Sequence, residues 1–384
     1  MKSRASRRNF LAAGLTVPAA ALAKPTMPQA PAAAAPPPQG LAFRTLGKTG
    51  LKVTSVGFGC METSDASVIS RAVDMGITYF DTARVYGGGN NERMVGSAIK
   101  GARNRLIVSS KSRATTAAEA REHLDTTLRE LGTDHLDIWY MHFRDEPGAI
   151  TDELVSVWED AKKQGKIRHI GVSTHNPNAI VDRVLQVGKV EVVLTVYNFA
   201  VGSANDAAHE RLSKAGIGLV AMKVMAPTSR ATGYGRSHGD RTKLPGGALA
   251  ALKWVLRNKS FGAAIPSMTD SDQLMENFRA MSEPFGAQDE KVLAAIDKEI
   301  RPLYCRMCYQ CTGQCPNGAA IPETIRYLSY ADFYGQFALG REHFAALPEQ
   351  ARAVRCGDCE SCPVRCPNGV RVAERMMRAQ ELFA

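Results

Sequence analysis

The 384-residue chain has no apolar run of the roughly 20 residues that a membrane-crossing helix needs. Aromatic residues are few, at 7%, with three tryptophans. Acidic residues are the minority charge, 38 against 48 Lys and Arg, which leaves a formal net charge of +10. That excess is dispersed and forms no basic stripe interleaved with aromatics, so it points away from nucleic acid as a partner. Cysteine is absent from residues 61 to 304, with Cys60 standing alone before them, so cysteine chemistry is confined to the C-terminal end. No flavin-binding motif is visible. What remains is 45% apolar, enough for one large core and a small module.

The first 23 residues hold four basic residues (Lys2, Arg4, Arg7, Arg8) and no acidic one, so the rest of the chain carries +6. A basic start, a short apolar run and the small-residue site Ala21-Leu22-Ala23 are the parts of a cleavable export signal over 1–23. Ser6-Arg7-Arg8-Asn9-Phe10-Leu11 resembles a twin-arginine signal, which implies a periplasmic destination. Residues 24–40, rich in Pro and Ala, are expected to form an extended linker.

From there the chain alternates between two periods. Strands are expected at 55–60, 78–82, 105–111, 136–142, 167–174, 192–198, 218–225 and 262–268, with amphipathic helices between them. Eight βα units predict a parallel (β/α)8 barrel over 41–300, and the pair 43–46 and 51–53 predicts a hairpin plugging its floor. Three successive strands carry polar groups where they end. Asp81 and Tyr86 follow the second, Lys111 the third and His142 the fourth, so all four converge on the C-terminal face. A buried lysine meets two needs there: it pairs the carboxylate, and it draws the tyrosine's pKa down from about 10.

Phe80-Asp81-Thr82-Ala83, Tyr86-Gly87, Glu92 to Gly96, Lys111, His142, Gly165 to Ser173, and Ile265-Pro266 with Glu276-Asn277 occur in the order in which the aldo-keto reductase family has them. The chain resembles that family across roughly residues 43–281. The resemblance implies a catalytic tetrad of Asp81, Tyr86, Lys111 and His142 beside NADP(H) or NAD(H). In it Tyr86 protonates the oxygen of a small-molecule carbonyl as hydride reaches the carbon, or the reverse for an alcohol, and His142 orients that oxygen. It implies cofactor contacts at Gly59, Cys60, Ser173, Met222, Ser267, Ser271, Gln273, Glu276 and Asn277. Read by itself, Cys60 is a small buried residue.

Several positions depart from the family's pattern. Leu194 replaces a usual glutamine, Thr174 an asparagine and Met222 an aromatic; Ser267 and Gln273 stand where many members have Lys and Arg, with Asp270 and Asp272 adding negative charge. The choice between NADP and NAD stays open on these residues. Ser271 or Thr269 is expected to cap the helix after the eighth strand. Residues 227–247 read as a surface loop or a substrate lid over the active face, and His175 as a loop histidine or a cofactor neighbour.

The last 84 residues are of another kind. Cys305-x2-Cys308-x2-Cys311-x3-Cys315-Pro316 is followed by Cys356-x2-Cys359-x2-Cys362-x3-Cys366-Pro367. The repeated run resembles that of two-cluster bacterial ferredoxins, in which the fourth cysteine serves the other cluster. This implies one [4Fe–4S] on Cys305, Cys308, Cys311 and Cys366 and a second on Cys356, Cys359, Cys362 and Cys315. Disulfides and zinc compete with this reading, but neighbouring Cys-x-x-Cys pairs make poor bridges and zinc takes two pairs per site. The segment 322–344 between the runs has helical spacing, so 301–384 is expected to be an α-helical ferredoxin-like module. Three readings remain in view: a nicotinamide-dependent oxidoreductase whose clusters relay electrons to a partner, a sensory or electron-transfer protein with a cofactor-binding barrel, and an enzyme whose clusters only pin the C-terminus over the barrel.

Overall fold

A computed structural model describes residues 40–225, 227–228 and 244–384. The expected export signal, the expected linker as far as Gln39 and most of the 227–247 segment lie outside the described residues.

The chain opens with a hairpin of β1 (Phe43–Thr45) and β2 (Lys52–Thr54). The barrel strands follow as β3 (Phe58–Gly59), β4 (Tyr79–Asp81), β5 (Ile107–Ser112), β6 (Leu136–Met141), β7 (Ile167–Thr174), β8 (Val192–Val196), β9 (Gly218–Met222) and β10 (Phe261–Ala264). They form one parallel sheet in sequence order from β3 to β10. The ends then meet: Ala264 N–H donates to Ser55 O at 2.9 Å, Gly57 N–H to Ala264 O at 2.8 Å and Gly59 N–H to Pro266 O at 2.9 Å. The strands are largely buried on both faces because helices cover the outside while the inside is filled. Those outer helices are α1 (Ala66–Asp74), α2 (Asn90–Ile99), α3 (Ala117–Leu131), α4 (Asp152–Lys163), α5 (Pro177–Val187), α6 (Asp206–Lys214), α7 (Gly247–Arg257) and α8 (Ser271–Arg279).

The hairpin closes the floor, as expected. Leu46 sits so close to Gly218 and Gly262 that a Cβ at Gly262 would come within 2.4 Å of the leucine's Cδ2. Arg44 fastens the hairpin to the barrel, donating to the carbonyls of Leu256, Asn258 and Phe261. Above Leu46 the interior is packed by Tyr79, Ile138, Tyr140, Val192, Leu194, Val220 and Ala263. Strands β8, β9 and β10 end sooner than their apolar runs: Tyr197, Val224 and Met268 continue the core as loop residues.

Beyond the barrel come α9 (Ala287–Ile300), α10 (Ile321–Asp332), α11 (Phe337–Ala345), the short α12 (Glu349–Ala353) and α13 (Val372–Phe383). The continuous helix expected over 322–344 is two helices. The chain turns at Gly335, whose φ of +67° an L residue rarely adopts, and Gln336 N–H is taken by Tyr330 O at 2.7 Å. Apolar side chains of α7, α9, α10, α11 and α13 share one core, including Ala250, Ile296, Leu328, Phe344 and Phe383, with Tyr304 from the segment after α9. The C-terminal helices are thereby packed onto the barrel.

Asp332 at the end of α10 is 2% exposed and receives Arg375 Nη2 at 2.5 Å and Arg378 Nη2 at 2.7 Å from α13. Burial pushes the carboxyl up, but these two arginines hold it below its usual range. Asp332→Ala would strand Arg375, itself 1% exposed, as an uncompensated charge. A loss of about 3–5 kcal/mol is expected, read as a lower midpoint in denaturant; an unchanged midpoint would remove this pair as a support of the module.

Candidate active site

Strand period and barrel tilt bring the predicted polar groups to one place. Asp81 ends β4 beside Ser109 of β5, and Lys111 lies two residues further on the same face. Lys111 Nζ donates to Asp81 Oδ2 at 2.5 Å, to Thr82 O at 2.7 Å and to the Tyr86 hydroxyl at 3.3 Å. Ser109 Oγ gives its hydrogen to Asp81 Oδ1 at 2.6 Å, and Tyr79 and Tyr140 join their hydroxyls at 2.9 Å below. His142 follows β6, its ring edge-on to Tyr86 with centroids 6.1 Å apart. The four residues implied as a tetrad thus stand together.

Their electrostatics follow from enclosure. Burial pushes the Asp81 carboxyl up, against Lys111 and Ser109. Burial works against the Lys111 ammonium, but Asp81 and Tyr86 outweigh it and raise its pKa, so the lysine stays charged. For Tyr86 burial also dominates and the net direction is upward, with Lys111 pulling the other way. The expectation of a phenol drawn below its ordinary value is therefore corrected: desolvation exceeds the lysine's pull. The hydroxyl keeps its proton, as a donor must, and the lysine favours the anion left behind. Burial, then Lys111 and Arg113, hold His142 well below its ordinary value, as a neutral imidazole.

The glutamate after Tyr86 is structural. Glu92 accepts Ser110 Oγ at 2.6 Å and Thr127 Oγ1 at 2.8 Å and pairs with Arg84, while Asn91 ties Cys60 O to Thr82. They fix the loop that carries Tyr86.

A cavity of about 400 Å3 opens above these groups. Of the expected cofactor contacts, Gly59, Ser173, Met222 and Ser267 line it, together with Ile265, Pro266 and His175. Cys60 does not: its side chain is fully buried, and burial pushes its thiol far up. Ser271, Gln273, Glu276 and Asn277 lie on α8, outside the cavity lining. The cap of α8 is neither Ser271 nor Thr269 but Asp270, whose Oδ1 accepts Gln273 N–H at 2.8 Å. An aspartate outcompetes the hydroxyls because its charge also suits the helix's positive end.

The roof was missed from the sequence. Tyr330, Tyr334, Gln336, Leu339 and His343 from α10, α11 and the turn between them line the same cavity, with Glu62, Arg113, Phe143 and Lys223 from the barrel loops. Gln336 Nε2 donates to Glu62 Oε1 at 2.6 Å, and His343 stacks on Phe143 with centroids 5.5 Å apart. For Arg113 a signal existed, since it stands one strand period beyond Lys111; for the roof there was none.

Behind the roof, the eight cysteines sort into two groups. Burial raises the Cys305 thiol to about 12, with Cys311 and Cys308 acting the same way, and Cys311 to about 11, with Cys366 and Cys308 adding. Burial raises Cys356, and Cys315, Cys359 and Cys362 lie near enough to act the same way. Each fourth cysteine therefore sits with the opposite run. All eight are free thiols; Asn368 Nδ2 reaches Cys308 Sγ at 3.3 Å and Asn317 Nδ2 reaches Cys359 Sγ at 3.7 Å. Among the described residues, no group of three or more His, Cys, Asp or Glu is close enough to hold a metal ion.

A parallel eight-stranded α/β barrel with a carboxylate, a lysine and a tyrosine bonded together at its C-terminal strand ends is an enzyme scaffold with its polar groups in the expected place. The aldo/keto reductase family model matches residues 58–246. The chain is 30% identical over 171 residues to the uncharacterized oxidoreductase YqkF of Bacillus subtilis, covering 39% of this chain and 55% of that one. It is 27% identical over 311 residues to the L-galactose dehydrogenase of Arabidopsis thaliana, covering 68% and 95%. The aldo-keto reductase AKR11C1 from Bacillus halodurans, in its holo form, shares the fold with a TM-score of 0.58 at 23% identity, over 67% of this chain and 96% of its own. Over its barrel the chain is thus similar to oxidoreductases of the aldo/keto reductase family.

Proposed function

We propose that this protein transfers hydride between a nicotinamide cofactor and a carbonyl or alcohol, with Tyr86 as proton donor and acceptor. The observation that carries the reading is Lys111 Nζ held between Asp81 Oδ2 and the Tyr86 hydroxyl in a cavity that His142 also faces. Bound NADP(H) or NAD(H) would supply the hydride from its nicotinamide ring. Ser173, Met222 and Ser267 line the wall that would receive it, and the cavity's apolar rings exclude water from the reacting carbon. Neutral His142 donates a hydrogen bond to the substrate oxygen, and Lys111 favours the phenolate as Tyr86 releases its proton. Retention of this whole arrangement favours turnover over a purely sensory role.

The cysteine module is proposed to hold two [4Fe–4S] clusters that pass electrons between the cavity and a protein partner. The exchange of Cys315 and Cys366 between the runs supports that reading, because a four-iron cubane takes one ligand from outside each contiguous run. A cubane also spaces its thiolates more widely than a single metal ion does, so the lack of a single-ion site among the described residues does not bear on it. The test is to purify the native protein anaerobically, identify the nicotinamide it carries, and follow that cofactor's oxidation on a panel of aldehydes. Aldehyde-dependent oxidation supports the reading; a cofactor inert to every carbonyl would leave the sensory alternative.

Export by the twin-arginine route is part of the proposal, because that route carries folded proteins and would let clusters form in the cytoplasm first. Replacing Arg7 and Arg8 by Lys is expected to hold the protein in the cytoplasm. Fractionation showing an undiminished periplasmic yield would remove the claim.

A further inference from the structure

Arg113 has no part in the tetrad, yet it stands at the seam where barrel and roof meet. It follows β5 by one residue, and its guanidinium lies 5.3 Å from the centre of the Phe143 ring, the residue next to His142. Its Nη2 is 3.1 Å from His343 Nε2 on α11. An arginine offers only donors, so the imidazole nitrogen accepts and the proton of His343 sits on Nδ1. Burial, then the arginine itself, hold that imidazole neutral, down to about 3. The guanidinium is thus positioned by a neutral ring and a neutral aromatic face, and neither cancels its charge.

The acids around it do not cancel it either. Glu342 approaches to only 3.9 Å and its side chain is 69% exposed, where solvent screens the pair. Glu62 takes the amide of Gln336, and burial pushes its carboxyl up. Asp81 is committed to Lys111 and Ser109. Lys223, on another wall, rests over the Tyr330 ring at 4.4 Å and meets no carboxylate within ion-pair distance among the described residues. Arg113 Nε is buried with no partner, while the side chain as a whole is 32% exposed and lines the cavity.

We infer that Arg113 is an anion anchor, and that the preferred substrates are small carbonyl compounds, or the matching alcohols, that carry a carboxylate. A planar guanidinium presents paired N–H groups that match the two oxygens of a carboxylate. Its place beside His142 and Phe143 puts that acid group on the carbonyl side of the cavity, whereas Met222 and Ser267 belong to the wall proposed for the nicotinamide. The roof completes the anchor, because His343 orients the guanidinium from α11. This substrate class rests on the reductase reading above.

The test separates binding from turnover. Benzoate and benzamide do not react, and calorimetry on the native protein should show benzoate bound at least about tenfold tighter than benzamide. Arg113→Gln should erase that difference, and Arg113→Lys should restore part of it by returning the charge without the fork. For turnover, 2-, 3- and 4-carboxybenzaldehyde are each compared with the matching carboxamide. The acid-over-amide preference in kcat/KM should fall by about 10–100-fold in Arg113→Gln for at least one isomer. Equal binding of benzoate and benzamide by the parent, or a preference that survives Arg113→Gln, overturns the anchor. So does a variant that loses affinity for the nicotinamide nucleotide in place of the acid, since Arg113 would then serve the cofactor. Acid-selective binding without reduction of any aldehyde would uphold the anchor and overturn the reductase reading; aldehyde reduction with no acid preference does the reverse.

Discussion

Replacing Tyr86 by Phe is expected to lower carbonyl reduction by about 10²–10⁴-fold while the protein still folds and still binds its nicotinamide. The substitution removes one hydroxyl, and with it the hydrogen bond from Lys111 Nζ at 3.3 Å and the proton that would reach the substrate oxygen. The lysine keeps Asp81 Oδ2 and Thr82 O, so the salt bridge and the ends of β4 and β5 should hold their places. The loss should therefore appear in kcat more than in cofactor affinity, because the hydroxyl's proton moves only in the transition state. Single-turnover mixing of the reduced variant with an aldehyde reads the step directly. Activity surviving on every aldehyde would show that another group delivers the proton.

Cys366→Ala should produce the other large effect, at a distance along the chain. Cys366 neighbours Cys311, and Cys356 neighbours Cys315, so each run completes its set with a residue from the other. Loss of Cys366 should damage the cluster proposed on Cys305, Cys308 and Cys311, while sparing much of the one on Cys356, Cys359, Cys362 and Cys315. Iron near eight per chain in the anaerobic parent, two four-iron clusters' worth, should fall toward half. Paramagnetic resonance after reduction should retain one signal of two. Damage confined to the 356–362 cluster would reverse the assignment, and zinc or disulfides in the parent would refute the clusters.

The barrel was legible because apolar strand runs and amphipathic helices alternate eight times along the chain, so hydrophobic period locates them. The residues at strand ends were legible for the same reason: a strand's end fixes where the next polar side chain points. Local competition was harder to see. Asp270, Thr269 and Ser271 are all good caps, and only the geometry of Gln273 N–H decides for Asp270. The break between α10 and α11 hangs on Gly335, one residue inside an otherwise helical pattern. The net upward direction for Tyr86 reflects how completely the site is enclosed, a property of many distant side chains. Least legible was the roof, since nothing in α11 itself says that His343 meets Phe143 and Arg113.

That roof also sets a timetable. Synthesis runs from the N-terminus, and domains tend to fold as they emerge. Asp81, Tyr86, Lys111 and His142 are all made before α8 completes the barrel, whereas the wall bearing Tyr330, Tyr334 and His343 comes from the last part of the chain. Every molecule thus passes through a youth in which its reactive groups face open water.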